Sequence, residues 1–319
     1  MQKESICKCI KEVECAKGGK MKWAILNDYL HVGYIDICSQ KLPESVFKSS
    51  FLMGTEEVPI KINYCFHGRC EVMLNCGVTT FVVGNEFALD YGTSGNGEAA
   101  FFYPSSEYEG VELILYPSAE LYKELSVWGG DKVIQDMMKN FKDKDIPLIT
   151  PANAKILRCM EDIRDDLVNF TDKNLLKADV IKTVLLLKGI SFEVSNRRTY
   201  YTRSQVDIAK KTFEIITGDL SKRYSAAELA CYFGVSESSL KNYFRAVFGR
   251  GYKEMIGEIR MQKAAELIME GERSMGEIAE CVGYQNQSRF TEAFFKYHKM
   301  LPMEYKRTQH IAKKDKNAV

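Results

Sequence analysis

Long apolar runs are missing from this 319-residue chain. No uninterrupted stretch approaches the roughly 18 residues that a helical membrane span requires, so insertion into a bilayer is not expected. The opening residues MQKESICKCIKEVECAKGGK hold neither an apolar stretch nor a small-residue cleavage site. Export is therefore not expected, and the cytoplasm is the expected compartment. The first 200 residues also lack a Gly-x-Ser-x-Gly elbow, a phosphate loop and a dinucleotide fingerprint, which removes the familiar sequence routes to hydrolase, nucleotidase and dehydrogenase chemistry. No cofactor is expected.

Cysteine is present, with ten residues, but they are spread over a long chain without an export signal, so reduced thiols are the expected state. Cys65, Cys70 and Cys76 flank His67 with spacings of five and six, not the close Cys-x2-Cys pairing of a zinc knuckle. A length of 319 residues exceeds what one hydrophobic core usually serves and points to two or three domains. The formal charge of +1 conceals a division at Ser204: from there onward 19 Lys and Arg face 15 Asp and Glu, a net of +4, and the preceding part carries −3. A basic C-terminal part is compatible with nucleic-acid binding without requiring it.

Residues 31–118 contain short β-rich runs, among them HVGYIDIC, IKINYCF, CEVMLNC, TTFVV, EFALDY and VELILYPS. Ile60, Ile62, Tyr64 and Phe66 alternate with Lys61, Asn63 and Cys65, as a half-buried strand requires. A small antiparallel barrel or sandwich fits this pattern. After Pro117 helical spacing takes over, across Ala119–Asn140, Ala152–Phe170 and Lys173–Ser191, the last with a stripe of Leu176, Val180, Val184 and Leu187 that packs on the barrel or on a second copy. SNRRTYYTRS, residues 195–204, is polar, basic and aperiodic and reads as a linker.

The C-terminal part carries a repeat. SAAELACYFGVSESSLKNYFRAVFG starts at Ser225 and SMGEIAECVGYQNQSRFTEAFFKYHK at Ser274, 49 residues later. Each copy opens with Ser-x-x-Glu, a capping box, continues with Glu-apolar-Ala, and reaches a Gly at 234 or 283 that can end a helix. Ser236 or Asn286 then starts a second helix, with Leu240, Phe244 and Val247 apolar in one copy and Phe290 and Phe294 in the other. That is helix, turn, helix, written twice. One extra residue in the second turn makes the offset 50 beyond it.

These residues resemble the DNA-binding domain of the AraC/XylS family of bacterial transcription regulators, over Asp207 to Arg307. The double motif, the joining helix EIRMQKAAELI with Arg260, Met261, Ala264, Leu267 and Ile268, and the closing LPMEYKR carry the resemblance. It implies an α+β protein: an N-terminal cupin-like β-barrel with flanking helices, and an all-α C-terminal domain with two helix-turn-helix motifs. The expected segments are an N-terminal extension (1–30), a barrel assigned to effector binding (31–118), a helical dimerisation segment (119–194), the linker (195–204), the DNA-binding domain (205–308) and a basic tail (309–319). Two recognition helices on a stiff connector can occupy successive major grooves, about 34 Å apart along the duplex, and read a site that is not palindromic.

Ser238, Ser239, Lys241, Asn242 and Arg245 avoid the apolar face of the first recognition helix and match the family's DNA-facing positions. Gln287, Ser288, Arg289, Thr291 and Lys296 are their counterparts in the second. Glu292 departs from the family pattern: an acid there repels phosphate but can accept from cytosine. His298, Lys299 and Tyr252 depart as well. The resemblance also implies double-stranded DNA and RNA polymerase as partners, a homodimer, a small-molecule effector and an activating role. An alternative is a metal-dependent cupin-type enzyme with an accessory DNA-binding domain, although His31, His67 and Glu71 fall short of that ligand set. The barrel is either an effector pocket, lined by aromatics such as Tyr64, Phe66, Phe87, Tyr91, Phe101 and Phe102, or a structural core.

Overall fold

β-Branched and aromatic residues are concentrated in the strand runs of the N-terminal part, and these runs assemble an antiparallel sheet. In the computed structural model, which describes residues 10–15, 19–42, 58–92, 101–141, 144, 146–170, 172–190 and 198–316, the strands are β1 (Ile10–Glu14), β2 (Lys20–Asn27), β3 (Leu30–Ile37), β4 (Ile60–Met73), β5 (Val78–Val83), β6 (Glu86–Tyr91), β7 (Phe101–Phe102), β8 (Tyr108–Leu115), β9 (Leu148–Pro151) and β10 (Tyr201–Thr202). The main path runs β1-β2-β3-β8-β4-β5-β10 and leaves two edges, with β6, β7 and β9 attached beside it. The expected mixed α+β architecture with an N-terminal antiparallel sheet is present, and among the described residues the sheet is not closed into the cupin-like barrel.

Three boundaries differ from the sequence-based expectation. The N-terminal extension is not separate from the sheet: β1 pairs with β2 and β2 with β3, so residues 10–27 belong to it. IKINYCF and CEVM form one 14-residue strand, β4, which crosses a bulge between Cys65 and His67 in its pairing with β8. Its first part pairs with β6 and β8 and its last part with β5. The long helix expected over Ala119–Asn140 is two, α1 (Ala119–Ser126) and α2 (Gly130–Phe141), because Gly129 at φ 73° ends the first in a tight turn.

Both sheet faces are buried. On one, Ile60, Ile62, Tyr64, Phe87 and Leu113 share a core with α1, α2, α3 (Ala154–Val168) and α4 (Lys173–Leu187), the last packing on α2 and α3. The stripe Leu176, Val180, Val184 and Leu187 is buried in this cluster, at 0–1% exposure. It therefore closes the core within the chain, each side chain contributing about 1.5–3 kcal/mol of transfer free energy. On the other face, Met21, Trp23, Tyr103 and Tyr108 form a second cluster. The Trp23 ring lies over Gly33 so closely that a Cβ there would sit 2.7 Å from it.

This part, up to Arg203, is one compact unit; Ser204 onward is the second. The second is all helical: α5 (Arg203–Gly218), α6 (Ala226–Tyr232), α7 (Glu237–Phe248), α8 (Tyr252–Glu270), α9 (Met275–Cys281), α10 (Gln287–His298) and α11 (Pro302–Lys316). The expected basic tail begins inside α11, which continues through Lys316. No described helix is long and apolar enough to cross a membrane.

Candidate nucleic-acid interface

Local sequence signals build each half of the double motif. Ser225 and Glu228 cap α6 reciprocally: the Ser225 amide donates to the Glu228 carboxylate at 2.8 Å, and the Glu228 amide donates to Ser225 Oγ at 3.1 Å. Ser274 and Glu277 repeat the arrangement at the start of α9, at 2.8 and 3.3 Å. These hydrogen bonds hold both glutamates below the usual carboxylate range. The turns match too, with Val235 N donating to Ala230 O at 3.0 Å and Tyr284 N to Ala279 O at 2.8 Å. Ser236 caps α7 through the Ser239 amide, and Asn286 caps α10 through the Arg289 amide.

The connector α8 and the loop before α6 lock the halves together. Met261, Ala264, Leu267 and Ile268 of α8 pack with Ile278, Ala279, Val282, Phe290 and Phe294 of the second half. Phe244 of the first half packs on Phe248 at 4.6 Å and edge-on to Tyr252 at 5.7 Å. Arg223 Nε donates to the Gly283 carbonyl at 2.8 Å, with its guanidinium 5.9 Å from the Tyr284 ring centre. Arg260, buried on α8, donates to the Lys222 carbonyl at 2.7 Å. A Cβ on Gly283 would lie 2.6 Å from the Leu220 carbonyl oxygen, so the first half's leading loop sits directly on the second half's turn.

Four of the five residues expected on the first recognition helix meet in one groove. Ser238, Lys241, Asn242 and Arg245 line a cavity of about 380 Å³ with Gly251, Tyr252 and Lys253. Ser239 does not join them: half-buried, its hydroxyl accepts from Ser236, so it belongs to the helix cap. Lys241 pairs with Glu237 one turn earlier, which holds that carboxyl below its usual range. Lys253 was not expected. It lies beyond the motif, and only the fold places the start of α8 beside α7. That start, at Gly251, has no side-chain cap hydrogen bond, so its amides remain available to an anion.

In the second half, Gln287, Ser288 and Thr291 line a cavity of about 550 Å³ with Glu292, Phe295 and Leu301. Arg289 and Lys296 are exposed on the same helix but do not line it. At an offset of 50, Thr291, Glu292 and Phe295 stand where Lys241, Asn242 and Arg245 stand in the first half, and Met303 stands at the position of Lys253. Phe295, Leu301 and Met303 are exposed, at 50, 42 and 63%. The Leu301 amide donates to Glu304 at 3.1 Å, so a carboxylate already occupies the start of α11. The first surface is basic; the second is apolar and acidic.

Known proteins share this part of the chain. A helix-turn-helix domain family matches residues 229–308. The transcriptional regulator SirC of Salmonella typhimurium is 28% identical over 106 residues, 33% of this chain and 36% of SirC. The transcriptional activator CfaD of Escherichia coli is 25% identical over 128 residues, 40% of this chain and 48% of CfaD. Among solved structures, the C-terminal domain of AraT, a response regulator from Geobacillus stearothermophilus, is 32% identical and matches 32% of this chain and 84% of that domain, with a TM-score of 0.31. The matched part of this chain is a helix-turn-helix domain, similar in sequence to those of these transcription regulators. The chain spans between about a third and a half of the length of these two curated relatives.

Within that family pattern, the departures at 298 and 299 have visible roles. His298 packs 4.3 Å from Phe294 and 4.9 Å from Tyr305, and its Nε2 lies 3.2 Å from the Met261 carbonyl, so it fastens α10 to the connector. Lys299 takes the left-handed conformation at φ 58°, where the first half has Gly249 at 74°.

The described residues offer no ligand set for the cupin-type alternative. Among the described residues, no three His, Cys, Asp or Glu side chains come together in a way that could hold a metal ion. His31 stacks edge-on against Tyr116, and exposed His67 faces Glu107 at 3.5 Å. Burial pushes the Cys65 thiol up to about 12 and Cys70 well above its ordinary value, so both are neutral thiols in the core. The aromatics considered as effector-pocket lining are largely core: Tyr64 and Phe87 are buried and Phe66 and Tyr91 pack against the same cluster. The Phe101 side chain lies outside the described residues.

Proposed function

We propose that this protein is a sequence-specific, double-stranded DNA-binding transcription regulator whose α7 and α10 enter successive major grooves. The observation that carries this reading is the fastening of one helix-turn-helix to the other through Arg223, Arg260 and α8, because a rigid pair can serve two grooves one helical turn apart. Asn242 is suited to a bidentate contact with adenine, and Lys241 and Arg245 to guanine or phosphate. Lys253 and the uncapped start of α8 bind phosphate beside them. Glu292 accepts from cytosine and Phe295 covers a thymine methyl, so α10 contributes base selection with little charge.

The family resemblance and the similarity to CfaD support an activating role, with RNA polymerase as a partner. The N-terminal sheet, cupin-like in its layout, serves as an effector domain, and the protein acts in the cytoplasm, as a homodimer where its promoter has two sites. Selection of binding sequences from random duplexes with the full chain tests the central reading. It should enrich a motif of two blocks about 10 base pairs apart; enrichment of no motif, or binding that is uniform over sequences, contradicts it.

A further inference from the structure

The segment expected to be a linker is fastened to the sheet in its described part. Tyr201 and Thr202 pair with Thr79 and Val78 on β5. Thr80 Oγ1 donates to the Thr199 carbonyl at 3.4 Å. Arg198 donates to the Phe81 carbonyl at 2.7 Å and to Glu86 at 2.5 Å. The other Glu86 oxygen accepts from the Val83 amide at 3.1 Å.

A cleft of about 530 Å³ lies between this segment and strands β5, β6 and β9, within the size range of small-molecule sites. Among the described residues its charged lining is Arg69, Arg198 and Glu86, two guanidiniums and one carboxylate. Arg69 lies 5.0 Å from the centre of the Phe81 ring, and burial pulls its pKa down, against the pull of Glu86. Arg198 and Glu86 are each less than a fifth exposed. A half-buried site with one positive charge in excess, and hydroxyls from Thr80 and Tyr201 at its walls, favours a compact anion.

We propose that this cleft binds a small organic anion, a carboxylate or a phosphate ester, and that the anion clamps residues 198–202 onto the sheet. The bound anion touches Arg69 from β4 and Arg198 from the linker together. It thereby favours the state in which the two-residue strand β10 is paired, since a ligand stabilises whichever state it binds. Detaching residues 198–202 would free about 17 Å of extended chain immediately before α5. The anion thus sets the length of the tether that leads to the helix-turn-helix unit.

The test is amide hydrogen exchange on the full chain, with inorganic phosphate, succinate, and glycerol as a neutral control, at ionic strength matched with chloride. Exchange within 198–202 should slow at least several-fold with phosphate or with succinate and not with glycerol. Which anion protects tells whether the natural ligand carries phosphate or carboxylate. Arg69→Met should abolish the protection. Glu86→Gln, which removes the competing carboxylate, should tighten the anion about five-fold or more, and it decides the matter should Arg69→Met fail to fold. Unchanged exchange with both anions, equal protection by glycerol, or no gain with Glu86→Gln overturns the proposal. Lys241→Ala should leave the protection intact, which separates this site from phosphate binding on the recognition face.

Discussion

Arg223 and Gly283 are 60 residues apart in sequence, and a single hydrogen bond of 2.8 Å joins the guanidinium of one to the carbonyl of the other. It ties the loop that leads into the first helix-turn-helix to the turn inside the second. The two motifs therefore share a joint in addition to the connector helix, and deformation of one turn is felt at the entry to the other.

Arg223→Met should cost about 1.5–3 kcal/mol of stability, the usual worth of a hydrogen bond from a charged donor, read as a lower midpoint in urea unfolding of the full chain. It should also weaken binding to a two-block DNA site more than to a site with the second block scrambled. Equal weakening on both would show that Arg223 does not couple the halves.

The residues of the first groove divide into two kinds. Asn242→Ala should cost about 1–3 kcal/mol on the specific site and relax preference at one base position. Lys253→Ala should weaken all duplexes similarly and reduce the slope of log affinity against log salt by about 1. Binding titrations at several salt concentrations separate the two behaviours.

Lys299 holds a backbone conformation that costs an L-residue about 1 kcal/mol or more. Lys299→Gly should raise stability by about 1 kcal/mol, measured as a higher melting temperature, without altering sequence preference, because Lys299 does not line the α10 groove.

The capping boxes give a pH dependence of known sign. Glu228 and Glu277 have folded pKa values held below their ordinary 4.5. Their contribution is therefore complete above about pH 4.5 and is lost as pH falls through the lowered folded values. The double variant Glu228→Gln with Glu277→Gln should flatten this part of the stability profile on acid titration. An unchanged profile would show that the boxes do not titrate with folding.

The double motif was legible because its signals are local: a serine three residues before a glutamate, a glycine at the turn, a cap and an apolar face. Lys253 was not legible, since its place beside Arg245 depends on how α8 leaves α7. The clamp on Tyr201 and Thr202 was hidden for the same reason, because its partners lie more than 120 residues away on β5. Alternation in Ile60, Ile62 and Tyr64 did mark a strand, but it could not say whether their shared face meets a ligand or helices, and it meets helices. The stripe on α4 showed amphipathicity without naming its partner, which is the chain's own helices α2 and α3.

Hydroxyl-radical footprinting of the full chain on its selected duplex tests the central claim most directly. The account predicts two protected patches about 10 base pairs apart on one face of the DNA, the second weakened in Phe295→Ala and the first in Asn242→Ala. A single patch that is indifferent to Phe295→Ala would contradict it.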